Sequence, residues 1–164
     1  MAKSSKENLQ KKEKIIGVTI PAFNEEKTIQ AVIESIPRKI NGFSRVKIIV
    51  VDDGSTDGTS ALALKSGAIV ISNHANRGLA YAFSRGLDAA LEADADVIVN
   101  TDADNQYDQT EIPLLVKPIL ENQADIVLGS RFLGKIEEMP LSKKWGNKMA
   151  SAILTWNTGL QITD

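Results

Sequence analysis

Five short apolar runs, each closed by a cluster of glycine and polar residues, constrain this chain more than any other feature. The runs are IIGVTI, VKIIVV, AIVIS, DVIVN and ADIVLG. They lead in turn into PAFNEE, DDGSTDG, NHANRG, TDADNQ and GSRF. Segments of helical periodicity lie between them. In the first, Ile29, Val32, Ile33 and Ile36 fall at the i, i+3, i+4, i+7 spacing of one buried stripe. Near-continuous apolar strands alternating with helices form a mostly parallel, Rossmann-like sheet with helices on both faces, an α/β fold. In such sheets ligands bind beyond the carboxyl ends of the strands. One polar cluster there is turn chemistry; five along one rim describe a binding site.

The same pattern sets the element boundaries. A first helix is expected to start near Asn24, a good N-cap, with Glu25 and Glu26 in its first turn. The second strand spans Val46 to Val51, and a short helix over 56–66 ends at Gly67. A helix over 78–93 presents Phe83, Leu87, Ala90 and Leu91 on one face. Ile112, Leu115, Val116, Ile119 and Leu120 mark a further helix that Pro113 and Pro118 bend or trim. ADIVLG supplies a fifth strand. A loop through Met139 and Pro140 leads to a last amphipathic helix over 142–157, where Trp145 and Trp156 share a face, as packing residues or as a surface toward a segment beyond this sequence. Residues 1–14 are polar and Lys-rich and read as a flexible tail; residues 15–164 read as one domain.

Composition removes several classes of function. Hydrophobic content of 43% and charged content of 24% suit a globular domain. A net charge of −2 leaves no basic footprint for nucleic acid. No run approaches the ~18 apolar residues of a membrane span. The N-terminal MAKSSKENLQKKEK has no apolar core, so no secretory signal is expected and the cytoplasm is the default compartment. The absence of cysteine excludes disulfides and thiolate metal sites.

The rim carries the chemistry. In VNTDADNQYD, a buried strand ends in two carboxylates one residue apart, Asp102 and Asp104, followed by the amide Gln106. Such a set suits a hard divalent cation, Mg²⁺ or Mn²⁺, shared with substrate phosphates. The alternative is an Asx-rich turn leading to an N-cap at Asp108. In DDGSTDGT, Gly54 lets the backbone approach a ligand and Asp53 can accept hydrogen bonds from a nucleobase; part of the stretch also serves as a strand-to-helix turn. Asn76, Arg77 and Gly78 open a helix whose first amides favour an anion. Arg77 and Arg131 each suit a phosphate or a surface ion pair. His74, the single histidine, reads as structural.

Together these segments resemble the family 2 glycosyltransferases, of GT-A nucleotide-diphospho-sugar transferase fold. The matching stretches are IPAFNEEKTI, VVDDGSTDGT, NRGLAYAFSRGLDAA, NTDADNQYD and GSRF, in order at the right strand ends. Within the family the closest resemblance is to polyprenyl-phosphate sugar transferases, such as dolichyl-phosphate mannose synthase, where a D-A-D-x-Q motif occurs. The resemblance implies that Pro21, Ala22, Asn24, Glu25, Asp53 and Gly54 hold the nucleoside, with Arg77 and Gly78 near it. It implies that Asp102, Ala103 and Asp104 meet the nucleotide, and that Asp102, Asp104 and Gln106 bind Mg²⁺ or Mn²⁺. Arg131 then reaches toward the phosphates or acceptor, and Asp164 is the late candidate for a general base. The implied reaction is inverting transfer from a GDP- or UDP-linked sugar to a polyprenyl or dolichyl phosphate, at the cytoplasmic face of a membrane.

Two departures stand out. Leu79 follows Gly78 where many relatives carry Lys, so one phosphate contact is expected to be absent. The chain stops at GLQITD, without the acceptor segment that follows in relatives, so the domain is expected to be C-terminally truncated. An open edge on such a domain favours self-association into a homo-oligomer. A nucleotidyltransferase and a non-catalytic nucleotide-sugar-binding module remain the competing readings. PAFNEE lacks the glycine fingerprint of a dinucleotide-binding dehydrogenase.

Overall fold

Four of the apolar runs pair into one sheet. Its strands are β1 (Ile15–Ala22), β2 (Arg45–Asp52), β3 (Ile69–Ser72) and β4 (Val97–Asn100). The structure, a computed structural model, describes residues Glu13–Gly129. The chain divides into two compact units, Met1–Gln123 and Ala124–Asp164, and the sheet belongs to the first. The strand order is β3-β2-β1-β4, with every pair parallel. The chain therefore steps outward from β1 to β3 and then returns to lay β4 on the other side of β1. That reversal between β1 and β4 is where a doubly wound sheet opens a crevice.

Alternation along the strands separates two faces. Ile16, Val18, Ile20 and Ala22 of β1, with Ile48 and Val50 of β2, share a core with α1 (Ile29–Ser35), α2 (Thr59–Lys65) and α4 (Ile112–Leu120). Each fully buried isoleucine there contributes about 2 kcal/mol over an exposed one. Gly17 and Thr19 point the other way, against α3 (Leu79–Glu92). This second contact is very close. A Cβ on Gly17 would lie 3.1 Å from the Ala90 Cβ, and one on Gly86 would lie 3.2 Å from the Thr19 Cβ.

Helix ends are written locally. At the end of α2, Gly67 (φ 84°) donates to the Leu64 carbonyl and Ala68 to the Ala63 carbonyl, a Schellman closure. Asp94 (φ 57°) closes α3 and Asn122 (φ 55°) closes α4 in the same way. Helix α1 stops at Ile36, extended at ψ 123° in front of Pro37. Pro113 sits in the first turn of α4, where its missing N–H costs nothing; α4 passes Pro118 and ends at Leu120.

Three expectations are corrected. Helix α1 begins at Ile29, not near Asn24, and has no acidic residue in its first turn. Asn24 is left-handed (φ 56°) and its side chain accepts from the Thr56 N–H (2.9 Å), so a bond across the rim replaces a cap. Helix α3 buries Ala82, Gly86 and Ala90, while Phe83 and Leu91 are exposed. Close approach to the sheet selects small side chains: of the expected face, Ala90 is buried and Leu87 partly buried, while Phe83 and Leu91 turn outward. ADIVLG forms no strand: Ala124–Gly129 carry no ladder, and Ile126 and Leu128 are exposed. An apolar run becomes a strand only where its N–H and C=O groups find a partner edge. Nearly all of the N-terminal tail, the loop at Met139 and Pro140, and the helix over 142–157 with Trp145 and Trp156 lie outside the described residues.

Candidate functional site

Pairing between β1 and β4 ends at Thr19 and Asn100, but β1 runs on to Ala22. The two chains diverge there and leave a cleft of about 350 Å³. Pro21, Ala22, Phe23 and Glu25 form one wall, and Asp102, Ala103 and Asp104 the other. Asp53, Asn76, Leu79 and Ala82 complete the lining. The crevice of a switch point is therefore where half of the sequence-derived candidates meet.

The β1 wall is braced from β2. The loop after β1 and the loop over 53–59 exchange side-chain-to-backbone bonds in both directions. The Asn24 N–H donates to Ser55 Oγ (2.8 Å) and the Glu25 N–H to Thr59 Oγ1 (2.8 Å). In return the Gly58 N–H donates to Glu26 Oε2 (2.9 Å). Asp52, also buried, accepts from the Ser55 N–H (2.9 Å) and from the Ser60 hydroxyl. Asn24 thus stands behind the wall and is absent from the lining.

Asp53 is 3% exposed and its carboxylate is fully engaged. Oδ1 accepts from Asn73 Nδ2 (2.7 Å), Oδ2 accepts from the Gly78 N–H (2.8 Å), and the Arg77 N–H is shared between both oxygens at 3.1 and 3.0 Å. Burial alone would raise its pKa. The bonds from Asn73, Arg77 and Gly78, with the Arg77 charge, outweigh burial and hold it below the ordinary value. The anion expected at the start of this helix is therefore Asp53 itself. Gly54 (φ 80°) has a related task. A Cβ there would meet the Ala75 carbonyl carbon at 2.6 Å, so the glycine admits the crossing of segment 73–78. The Arg77 guanidinium lies over the Tyr81 ring, 3.8 Å from its centroid, and outside the cleft lining.

The acidic wall follows local rules. Asp104 accepts from the Gln106 N–H (3.0 Å) across left-handed Asn105 (φ 61°). Asp108 caps the 3-10 turn Gln109–Glu111 by accepting from the Thr110 N–H (2.9 Å). The Thr110 hydroxyl and N–H hold its pKa low. The Asx turn and the cap at Asp108 are thus both present, and Asp102 and Asp104 still line the cleft. Gln106 is exposed and outside the lining. Arg131 and Asp164 lie outside the described residues.

Residues 17–162 match the model of glycosyl transferase family 2. The chain belongs to this family. It is 32% identical over 171 aligned positions to a UDP-N-acetylglucosamine–dolichyl-phosphate N-acetylglucosaminyltransferase of Methanococcus voltae, covering 93% of this chain and 66% of that protein. It is 30% identical to a polyprenol monophosphomannose synthase of Mycolicibacterium smegmatis, covering 90% and 57%. The chain thus spans about three-fifths of the length of the curated relatives it matches. In structure it is similar to glucosyl-3-phosphoglycerate synthase of Mycobacterium tuberculosis, crystallised with Mn²⁺, UDP and glucosyl-3-phosphoglycerate. The TM-score is 0.55 at 36% identity, over 65% of this chain and 40% of that one. The parallel sheet of this family member is the GT-A fold.

Among the described residues, no three carboxylate or histidine side chains are poised around one metal position. Mg²⁺ takes one or two protein carboxylates and completes its shell with water and phosphate oxygens. Asp102 and Asp104 on one wall of an open cleft fit that shared arrangement and not a closed protein cage. The cleft is also acidic: Glu25, Asp53, Asp102 and Asp104 all line it. A diphosphate entering among carboxylates is repelled unless a cation enters with it.

The sequence did not point to Phe23, Ala82, Asn73 or Arg85. Phe23 and Ala82 line the cleft, and Arg85 Nη1 donates to Asn73 Oδ1 at 2.7 Å. Asn73 begins the polar cluster after β3, and that position was its only signal.

Proposed function

We propose that this chain carries the donor site of an inverting glycosyltransferase, moving a sugar from a UDP- or GDP-linked donor to a polyprenyl or dolichyl phosphate. One observation carries the reading: the β1/β4 cleft sets Asp102 and Asp104 opposite Pro21, Ala22 and Glu25, with Asp53 at its side. The nucleoside lies against Pro21, Ala22, Glu25 and Asp53. Asn24, Gly54, Arg77 and Gly78 shape that wall from behind. Asp102, Ala103 and Asp104 meet the diphosphate, and Asp102, Asp104 and Gln106 supply oxygens to Mg²⁺ or Mn²⁺. When bound, the cation neutralises charge gathering on the leaving nucleoside diphosphate. The names of the relatives above support the donor and acceptor classes.

In the reaction the bond from the anomeric carbon to the β-phosphate oxygen breaks. An acceptor oxygen attacks the opposite face, which inverts the centre. A lipid phosphate is already anionic near pH 7, so it needs positioning more than a strong base. Arg131 is assigned to hold that phosphate or the leaving group, and Asp164 is kept for a hydroxyl acceptor. A polyprenyl acceptor places the reaction at a membrane surface. Among the described residues no helix is long and apolar enough to cross one.

The test is calorimetric titration of the protein with UDP and with GDP, each with and without Mn²⁺, alongside Asp104→Ala. Metal-dependent binding of one nucleotide, lost in the variant, supports the reading and names the donor. Absence of binding to both nucleotides by folded protein overturns it.

A further inference from the structure

Asp53 cannot organise segment 73–78 unless Asn73 presents its amide nitrogen, and nothing in Asn73 alone decides that. The two ends of a side-chain amide are nearly equal in shape and opposite in hydrogen-bonding sense. Here Arg85, a full turn and more into α3, donates to Asn73 Oδ1 at 2.7 Å. The nitrogen is thereby turned to Asp53 Oδ1, also at 2.7 Å. A flipped Asn73 would set its NH₂ against a guanidinium and its oxygen against a carboxylate, two repulsive contacts in a site only 8% exposed. The backbone allows no escape, because the Asn73 N–H donates to the Asp52 carbonyl (2.8 Å) and extends the β2 ladder.

The consequence reaches the cleft. Asp53, once oriented, takes the Arg77 and Gly78 N–H groups, and segment 73–78 is drawn across Gly54. Asn76 and Leu79, on either side of these amides, are cleft-lining residues. We infer that Arg85 and Asn73 are positioning residues for the nucleotide: a chain from Arg85 through Asn73 to Asp53 fixes the wall on which the nucleoside rests. Neither residue touches the cleft. The inference rests on the donor-site reading above for the identity of the ligand.

The experiment uses the full chain and two readouts, amide hydrogen exchange at Arg77 and Gly78 and calorimetric affinity for UDP and GDP with Mn²⁺. In Arg85→Ala, exchange at both amides is expected to rise, and nucleotide affinity to fall, about tenfold each. Arg85→Lys, which keeps a donor for Asn73, is expected to recover most of both, and thermal unfolding to shift little. Asn73→Ala is expected to reproduce the exchange result. Unchanged exchange in Arg85→Ala overturns the inference whatever happens to binding. Faster exchange with unchanged affinity, in a parent protein that does bind, also overturns it. A parent that binds neither nucleotide overturns the donor-site reading instead, so the two failures are told apart.

Discussion

On one side of the cleft, residues 23–28, 53–59 and 73–78 are tied to one another across long stretches of chain. On the other, Asp104 and Asp108 accept from residues only two positions further along. The first side is finished before any ligand arrives. Its polar groups are spent on each other, and Asp53 is the anion at its own helix start. The second side holds Asp104 on a local turn, partly exposed and lining the cleft. A braced wall suits a rigid planar group such as a nucleobase, because little ordering is left to be done on binding. An open acidic turn suits a metal–phosphate pair that arrives together and leaves together.

The comparison breaks most severely at Gly54. Gly54→Ala puts a Cβ 2.6 Å from the Ala75 carbonyl carbon at φ 80°, and the nearest atoms are backbone that cannot rotate aside. Left-handed strain and overpacking together should cost about 3 kcal/mol or more of stability. Nucleotide affinity should fall with it. Denaturant unfolding measures the first effect and calorimetry the second. An alanine variant as stable as the parent would show that the wall is not held as described.

Asp104→Ala should do the reverse. The side chain is partly exposed and its bond to Gln106 is local, so stability should stay within about 0.5 kcal/mol. Metal-supported nucleotide affinity should fall at least tenfold, roughly the loss of one charged contact. The pair of variants then separates the rims: one change breaks fold and binding together, the other breaks binding alone.

Acid gives a third, smaller contrast. Asp53 is held below its ordinary value of 3.8, which is also close to its value in the unfolded chain. A group with a depressed native pKa contributes its stability above the unfolded value and loses it as pH falls through the native one. Unfolding free energy should therefore decline as pH drops below about 5. Asp57 and Asp108, lowered mainly by their Thr59 and Thr110 partners, shift the same limb in the same direction. Asp53→Asn should start from lower stability and show a shallower acid limb. An equal slope in parent and variant would remove Asp53 as the source.

How far the sequence could be read follows from the same division. The strands were legible because a parallel sheet buried on both faces demands continuous apolar runs, and Ile16 to Ala22 supply one. Asp108 as a cap and Gly67 as a stop were legible because their partners lie within a few residues. Asn24 was misplaced because its partner, Thr56, is 32 positions away, and a helix cap and a cross-loop acceptor look alike in sequence. The face of α3 was legible only in part, at Ala90, because hydrophobic spacing weighs Phe83 and Leu91 above Ala82 and Gly86, while contact with Thr19 needs the smallest side chains. ADIVLG has the composition of a strand but carries no ladder among the described residues. Asn73 showed only as the start of a polar cluster, and Arg85 not at all, because their role is an orientation, which no single position encodes.

The mildest change tests the acidic side alone. Gln106 is exposed, and only its backbone N–H is engaged, with Asp104. Gln106→Ala keeps that N–H, so the turn and the stability should be unaffected. If its amide oxygen joins Asp102 and Asp104 around the cation, its loss leaves one position that water can take. Mg²⁺ retains several waters in such sites, so one neutral ligand exchanged for water should weaken metal-supported nucleotide binding only by roughly threefold. Titrating Mn²⁺ at fixed nucleotide would resolve a change of that size. A loss as large as that of Asp104→Ala would mean that the turn closes around its ligand and is ordered by it. The two sides of the cleft would then differ in when they are fixed, one by folding and the other by binding.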